Sequence, residues 1–429
     1  MAAPRERTRS EPSLDASAEP RDDRYDLVWF WKQNDSGLYG RRSDLLVEAL
    51  AASPRVRRIV HFDRAVAPDE LLRGVALGRH PLQRHENLVL ARALGRLVPW
   101  PLGRKVTRHV FVYGEPEGRL ARRLIPSKRD YAAFVQRILE RSGVGRARTV
   151  FWAYPRNLAF PGLVRRLAPP LVVADCIDDQ RLWPDATPEA VARTDANYRE
   201  ILAAADLVLA NCAAMRDALA GIRDDVAVVE HGVESPRIAP PCPRDLARIP
   251  RPILGYAGNL SERVDVGLLR HVAASHPAWS VVLIGSAHAG GAVDALGDLP
   301  NVHRLGVRPY PRVRDYVRHF DVALLPHVDT PLTRSMAPLK LGTYCAEGVP
   351  VVATRVANLG PLAEAIDVAA DADAFVAAIE RALAAPPDAE RAHRRAEILA
   401  ANGWERRAEQ VLALLDAAWA RRRKLSAPA

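Results

Sequence analysis

The sequence predicts an α/β protein built from two Rossmann-like domains that face each other across a cleft. Two observations predict it. Short apolar runs alternate with helical periodicity twice along the chain, which argues for two parallel sheets with crossover helices. Between the two series, Ser235 to Pro252 carries Pro236, Pro240, Pro241, Pro243, Pro250 and Pro252, a density that ends regular structure. The chain has 429 residues, too many for one core and enough for two.

Residues 1–24 are charged and contain Pro, Ser and Ala, so we read a disordered tail. The first domain is expected over 25–235. Asp26–Trp31 is its first strand. Lys32 to Arg42 is a Gly-containing loop, and Ser43-Asp44 can cap the helix whose Leu45, Leu46, Ala49 and Leu50 share a face. Such a loop either binds a ligand at the carboxyl end of the sheet or is a surface turn with Gly37 and Gly40 at positive φ. Further strands are read at Arg58–Phe62, His109–Tyr113, Thr149–Tyr154, Leu171–Asp175, Asp206–Ala210 and Val226–Val229. Helical segments are read in pieces within Asp69–Leu102, and at Tyr131–Glu140, Thr187–Ala204 and Ala213–Ala220.

A Pro-rich linker spans 236–252, and the second domain spans 253–395. Its strands are Ile253–Ala257, Ser280–Ile284, Val302–Leu305, Asp321–Leu325 and Val351–Thr354, followed by a helix Ala372–Ala384. Residues 396–429 are expected to be closing helices.

With 48% hydrophobic and 26% charged residues the composition is that of an ordinary globular protein. A net charge of +10 suits a nucleotide, a diphosphate lipid or an anionic membrane surface. Nucleic acid is set aside, because the Arg are scattered and no nucleic-acid-binding motif is present. Cys176, Cys212, Cys242 and Cys345 lack metal-ligand spacing and read as core fillers in a reducing compartment. No apolar run is long enough to span a bilayer, so a cytoplasmic protein is expected, with membrane contact only at its surface.

The most informative stretch is Ser335 to Thr354. A Pro-containing loop leads into a helix beginning near Lys340, Gly348 stops it, and an apolar strand follows. A lysine beside the free N–H groups of a helix N-terminus is a place to hold phosphate. Asp175, Asp178 and Asp179, at the end of a strand, either orient a hydroxyl, hold a cation or cap a helix. His231, before Gly232, either lines the cleft or belongs to a turn. Asp371-Ala-Asp373 precedes an Ala-rich helix and reads as a cap.

Pro338, Leu339, Lys340, Tyr344, Ala346, Gly348, Pro350, Val351 and Val352 resemble the donor-site segment of retaining GT-B glycosyltransferases of family 4, the group 1 type. The resemblance implies a GT-B fold whose last helix packs back on the first domain. It also implies transfer of a hexose or related sugar, with retention, from a nucleotide diphosphate sugar to a glycan, a polyprenyl-linked carrier or a small molecule. No cofactor or metal is implied. The leaving diphosphate would meet Arg263 and Lys340, the turn Gly258-Asn259, and the loop Ser335, Met336, Ala337, Pro338 and Leu339. Arg308 and Tyr310 would lie at the base, and Thr343 at the ribose. Gly37, Gly40, Arg41, Arg42, Asp178 and His231 would face the acceptor. The sequence departs from the family where its ribose-binding glutamate becomes Thr343 and an earlier glutamate falls near Ser335. Those departures motivate two alternatives, a non-catalytic scaffold of the same fold and a nucleotide-sugar epimerase.

Overall fold

The computed structural model describes residues 23–75, 83–97, 104–114, 125–145, 148–184, 186–238, 240–287, 291–385 and 388–426. Nearly all of the expected tail therefore lies outside the described residues, as does part of the Asp69–Leu102 span.

The first sheet has seven parallel strands: β1 Tyr25–Phe30, β2 Val56–Phe62, β3 Val106–His109, β4 Thr149–Ala153, β5 Leu171–Cys176, β6 Leu207–Ala210 and β7 Val226–Val228. Their order is β3-β2-β1-β4-β5-β6-β7. The second sheet has six: β8 Ile253–Ala257, β9 Ser280–Ile284, β10 Val302–Gly306, β11 Val322–Leu325, β12 Val351–Thr354 and β13 Asp367–Ala369. They run in the order β10-β9-β8-β11-β12-β13. Each order reverses direction beside the sheet's first strand, between β1 and β4 and between β8 and β11. The loops leaving the carboxyl ends there are where open α/β sheets hold ligands.

The central strands are buried on both faces, which is why they read as continuous apolar runs. Trp29 of β1 and Trp152 of β4 stack at 4.3 Å, filling one side of the first sheet. The third strand falls at Val106–His109, not at 109–113. Residues 107–109 are polar and half-buried at the sheet edge, whereas Val110 and Phe111 are buried in apolar clusters. β13 and the helix Val266–Ser275 were not foreseen.

The linker stretch docks on the second sheet's side: Leu246 is fully buried in that core. The helix Ala389–Ala401 packs there too, through Ile398 and Leu399, so the return to the first domain comes at 402–403, later than the expected 396. The helix Trp404–Ser426 then buries Val411, Leu412 and Leu415 against Leu45, Leu46 and Leu50 of the first domain. Outbound and returning chains touch where they cross. Val233 N–H donates to the Asn402 carbonyl at 2.9 Å, and Val233 bridges Gly403. Gly232 leaves the space that Trp404 fills, since a Cβ there would lie 2.6 Å from the indole.

Leu415 is fully buried in the first domain's core. Leu415→Ala is expected to lower the unfolding free energy by about 2–5 kcal/mol. Urea denaturation checks it. A loss under about 1 kcal/mol would show that this helix is not part of that core.

Candidate active site

The facing carboxyl ends enclose a cleft of about 520 Å³, ample for a small ligand. Its second-domain wall starts at the turn after β8. Gly258 (φ +154°) and Gly285 (φ +152°) meet back to back, where a Cβ on Gly285 would fall 1.7 Å from the Gly258 carbonyl oxygen. A Cβ on Gly258 would fall 2.7 Å from Lys340 Nζ. Both positions therefore need glycine, for conformation and for space.

Lys340 sits in the first turn of the helix Leu339–Ala346, which has no side-chain cap. Its ammonium donates to Tyr256 Oη at 2.5 Å, lies 3.2 Å from His327 Nε2, and stands 4.1 Å over the Tyr256 ring. The Tyr256 hydroxyl proton goes to the Asn259 carbonyl at 3.0 Å, leaving its oxygen to accept from the lysine. Tyr344 ties the helix to β8 by accepting from Ala257 N–H at 2.8 Å.

Arg263 Nη1 reaches Met336 Sδ at 3.8 Å, and its guanidinium lies 6.0 Å from the Trp183 ring of the first domain. Neither Lys340 nor Arg263 has a carboxylate partner among the described residues. Burial, with Arg263 nearby, holds the Lys340 pKa well below its ordinary 10.5. Burial and the same two cations hold His327 neutral.

The first-domain wall comes from the loops after β1, β4 and β5. Lys32 is pushed down to about 8 by burial, opposed by Asp178, with Arg41 and Arg156 also lowering it. Asp178 is pushed up by burial, against the pull of Lys32, Arg263 and Arg41, and holds a left-handed backbone (φ +54°), which aspartate tolerates better than most residues with a Cβ. His231 is driven down to about 3, by burial and then by Arg42, and is neutral.

The structure brings together at the cleft Gly40, Arg41, Arg42, Asp178, His231, Gly258, Asn259, Arg263, Arg308, Tyr310, Met336, Ala337, Pro338, Leu339, Lys340 and Thr343. Two candidates lie elsewhere. Gly37 gives its N–H to Asp44 at 2.6 Å and takes a bond from Arg92 at 3.0 Å, so it shapes the loop from behind. Asp44 also accepts from Arg41 N–H, so the helix is capped from its third position, not from Ser43. Ser335 is buried, and its Oγ accepts from Asp179 N–H at 3.1 Å, joining the domains instead of facing a ligand.

Three of the cleft cations are already engaged. Arg42 is buried against Asp175 at 3.1 Å, Arg41 pairs with Asp35 at 2.7 Å, and Arg308 pairs with Asp245 at 2.5 Å. Asp179 caps the turn at Gln180–Leu182 and pairs with Arg181. Asp371 accepts from Ala374 N–H and caps its helix.

Sequence reasoning missed Lys32, Arg156, Trp183, Tyr256, His327 and Glu234. Glu234 is buried, and its Oε1 accepts from both Tyr310 Oη at 2.8 Å and Thr343 Oγ1 at 2.9 Å. A carboxylate thus stands behind the hydroxyl at 343. Tyr310 N–H donates to the Leu38 carbonyl at 2.6 Å, and its ring covers Gly40, so this edge of the cleft is shut.

Two parallel-sheet domains closed over a cationic, amide-lined cleft are the architecture of the GT-B class. Residues 251–385 match the family model of Glycosyl transferases group 1, so the second domain is a group 1 glycosyltransferase domain. A Bacillus subtilis (strain 168) protein, provisionally named as the teichuronic acid biosynthesis glycosyltransferase TuaH, is 29% identical over 106 residues. That match covers 24% of this chain and 27% of TuaH, so the chain spans about a quarter of that relative's length. Solved structures share the fold over more than nine tenths of the chain. An α,α-trehalose-phosphate synthase (UDP-forming) from Burkholderia vietnamiensis superposes with a TM-score of 0.59 at 17% identity, covering 94% of this chain and 99% of its own. A trehalose-6-phosphate protein from E. coli bound with UDP-2-fluoro glucose gives 0.57 at 16%, covering 91% and 98%.

A lysine with a depressed pKa binds fewer protons folded than unfolded. The stability of the ligand-free protein therefore gains as pH rises from that depressed value toward the ordinary 10.5. A phosphate at Lys340 would raise the pKa again. Binding of a nucleoside diphosphate is expected to take up protons between that depressed value and 10.5, and Lys340→Met to remove the uptake. Calorimetry in two buffers of different ionisation enthalpy measures it. Equal uptake in the variant would sink this reading.

Proposed function

We propose that the protein is a retaining glycosyltransferase that takes a sugar from a nucleotide diphosphate sugar. The observation that carries this is the pair Lys340 and Arg263, two cations in a cleft with no carboxylate partner among the described residues, beside the glycine turn at 258 and an uncapped helix. Uncompensated buried charge is costly, and a diphosphate supplies the missing anion. In the reaction, negative charge grows on the departing diphosphate. Lys340, Arg263 and the N–H groups of the loop 336–339 would stabilise it there. Tyr310 and Arg308 would flank the base, and Thr343, backed by Glu234, the ribose.

The opposite wall suits an acceptor with an anionic group. Lys32 has no carboxylate in bonding contact among the described residues, and Arg156 bonds only the neutral Gln180 amide at 3.1 Å. A phosphorylated or uronate-bearing glycan, or a polyprenyl diphosphate carrier, fits that charge. Among the described residues no helix is long and apolar enough to cross a membrane. Work at the cytoplasmic face, with the basic surface against anionic lipid, is the setting we propose.

A panel of UDP-, GDP- and dTDP-sugars tests the reading by thermal shift and product analysis. At least one nucleotide is expected to stabilise the protein, and Lys340→Ala to lower kcat/KM by about 10²–10³-fold. Absence of stabilisation by every nucleotide would overturn the proposal. Conversion of the sugar nucleotide without acceptor would favour the epimerase, and binding without turnover the scaffold.

A further inference from the structure

Glu234 is buried and does not line the cleft, yet it governs two side chains that do, Thr343 and Tyr310. Tyr310 Oη lies 2.8 Å and Thr343 Oγ1 2.9 Å from the same carboxylate oxygen, Oε1. A carboxylate only accepts, so each hydroxyl commits its single proton to Glu234. What Thr343 and Tyr310 have left is lone pairs. At these two side chains the wall of the cleft accepts hydrogen bonds and donates none.

The carboxylate is more than a tether. Its other oxygen, Oε2, is buried with no partner among the described residues. No ion pair reaches Glu234 among them, although Arg314, bound to Glu347, is near enough to feel its charge. An amide could link the same two hydroxyls without burying a charge. An amide also has a donor edge, which it can turn on either hydroxyl. Only a carboxylate fixes both protons away from the cleft.

Thr343 stands three residues beyond Lys340 in the helix Leu339–Ala346, one turn on along the same face, a rise of about 4.5 Å. Tyr344 is fully buried and bonded to the backbone of β8, which turns the helix so that 340 and 343 line the cleft. In a nucleoside diphosphate the pentose is joined directly to the phosphates. With the phosphates at Lys340, the pentose falls at Thr343, and its hydroxyls bring the protons that this wall lacks.

We propose that Glu234 is a positioning residue that turns the protons of Thr343 and Tyr310 away from the cleft, so that the site selects a nucleotide with a free ribose hydroxyl. The inference rests on the nucleotide reading above and deepens it. Selection comes from hydrogen-bond direction, set by a side chain the ligand never touches.

Titration calorimetry of the full-length protein tests this, using whichever of UDP, GDP and ADP binds tightest. It is compared with its deoxy and deoxyfluoro forms at the ribose 2′ and 3′ positions. At one position or both, loss of the hydroxyl is expected to weaken binding about fivefold or more. Fluorine, which cannot donate, is expected not to restore it. Thr343→Val, which keeps the shape and removes the hydroxyl, is expected to lower that preference, and Thr343→Ser to keep it. Glu234→Gln is expected to narrow it at least about twofold. If Glu234→Gln impairs folding, Thr343→Val and the fluorine comparison decide without it. Equal affinity for hydroxyl and deoxy forms at both positions, restoration by fluorine, or a preference unmoved by Thr343→Val would overturn this inference and leave the nucleotide reading standing. Failure of all three nucleoside diphosphates to bind would discard both.

Discussion

The structure depends most on how Lys340 is held. Its amino group is half-buried among groups that offer lone pairs but no negative charge: a tyrosine oxygen, a neutral imidazole and an aromatic face. A carboxylate in their place would satisfy the lysine and leave it nothing to do. Tyr256 and His327 instead orient it and leave its proton to be stabilised by an arriving anion. The surroundings follow from that constraint. Gly258 is stripped of a side chain to admit the ammonium, and Tyr344 fixes the helix that carries it.

The same logic separates working cations from structural ones. Arg42, Arg41 and Arg308 face the cleft in sequence-based expectation and touch it in space, but each is tied to an aspartate. Their energy goes into holding loops. Arg42 and Asp175 anchor the start of the first helix to the end of β5, a buried pair whose separation would leave a charge stranded. Glu234 acts similarly between domains. It lies just past the crossing and holds Tyr310 and Thr343 from behind, so the two hydroxyls on that side of the cleft share one anchor.

Much of the architecture was legible because buried parallel strands announce themselves as apolar runs. β8, β9 and β12 fall where they were read, and so does the helix Ala372–Ala384, which Asp371 caps. The third strand was misplaced because its sequence, Val-Thr-Arg-His, is that of an edge. Lys340 was legible because its helix and the strand after it are contiguous in sequence. Glu234 was not, since its partner Thr343 lies 109 residues away and nothing local marks the pairing. Lys32, Arg156 and His327 were hidden for the same reason. Ser335 shows the reverse failure: a position that alignment with a motif placed at the ligand is spent on the Asp179 backbone.

The way the polypeptide leaves the first sheet and comes back to it has a consequence for biosynthesis. The apolar face formed by Leu45, Leu46 and Leu50 is covered by residues 411–418, which are made after the whole second domain. On the ribosome, the amino-terminal half must wait with that face bare while the whole carboxyl-terminal half emerges and folds. Completion of the first domain's core is therefore coupled to synthesis of the second domain. A truncated product lacking its final turns would expose a greasy strip and be a natural substrate for chaperones and proteases.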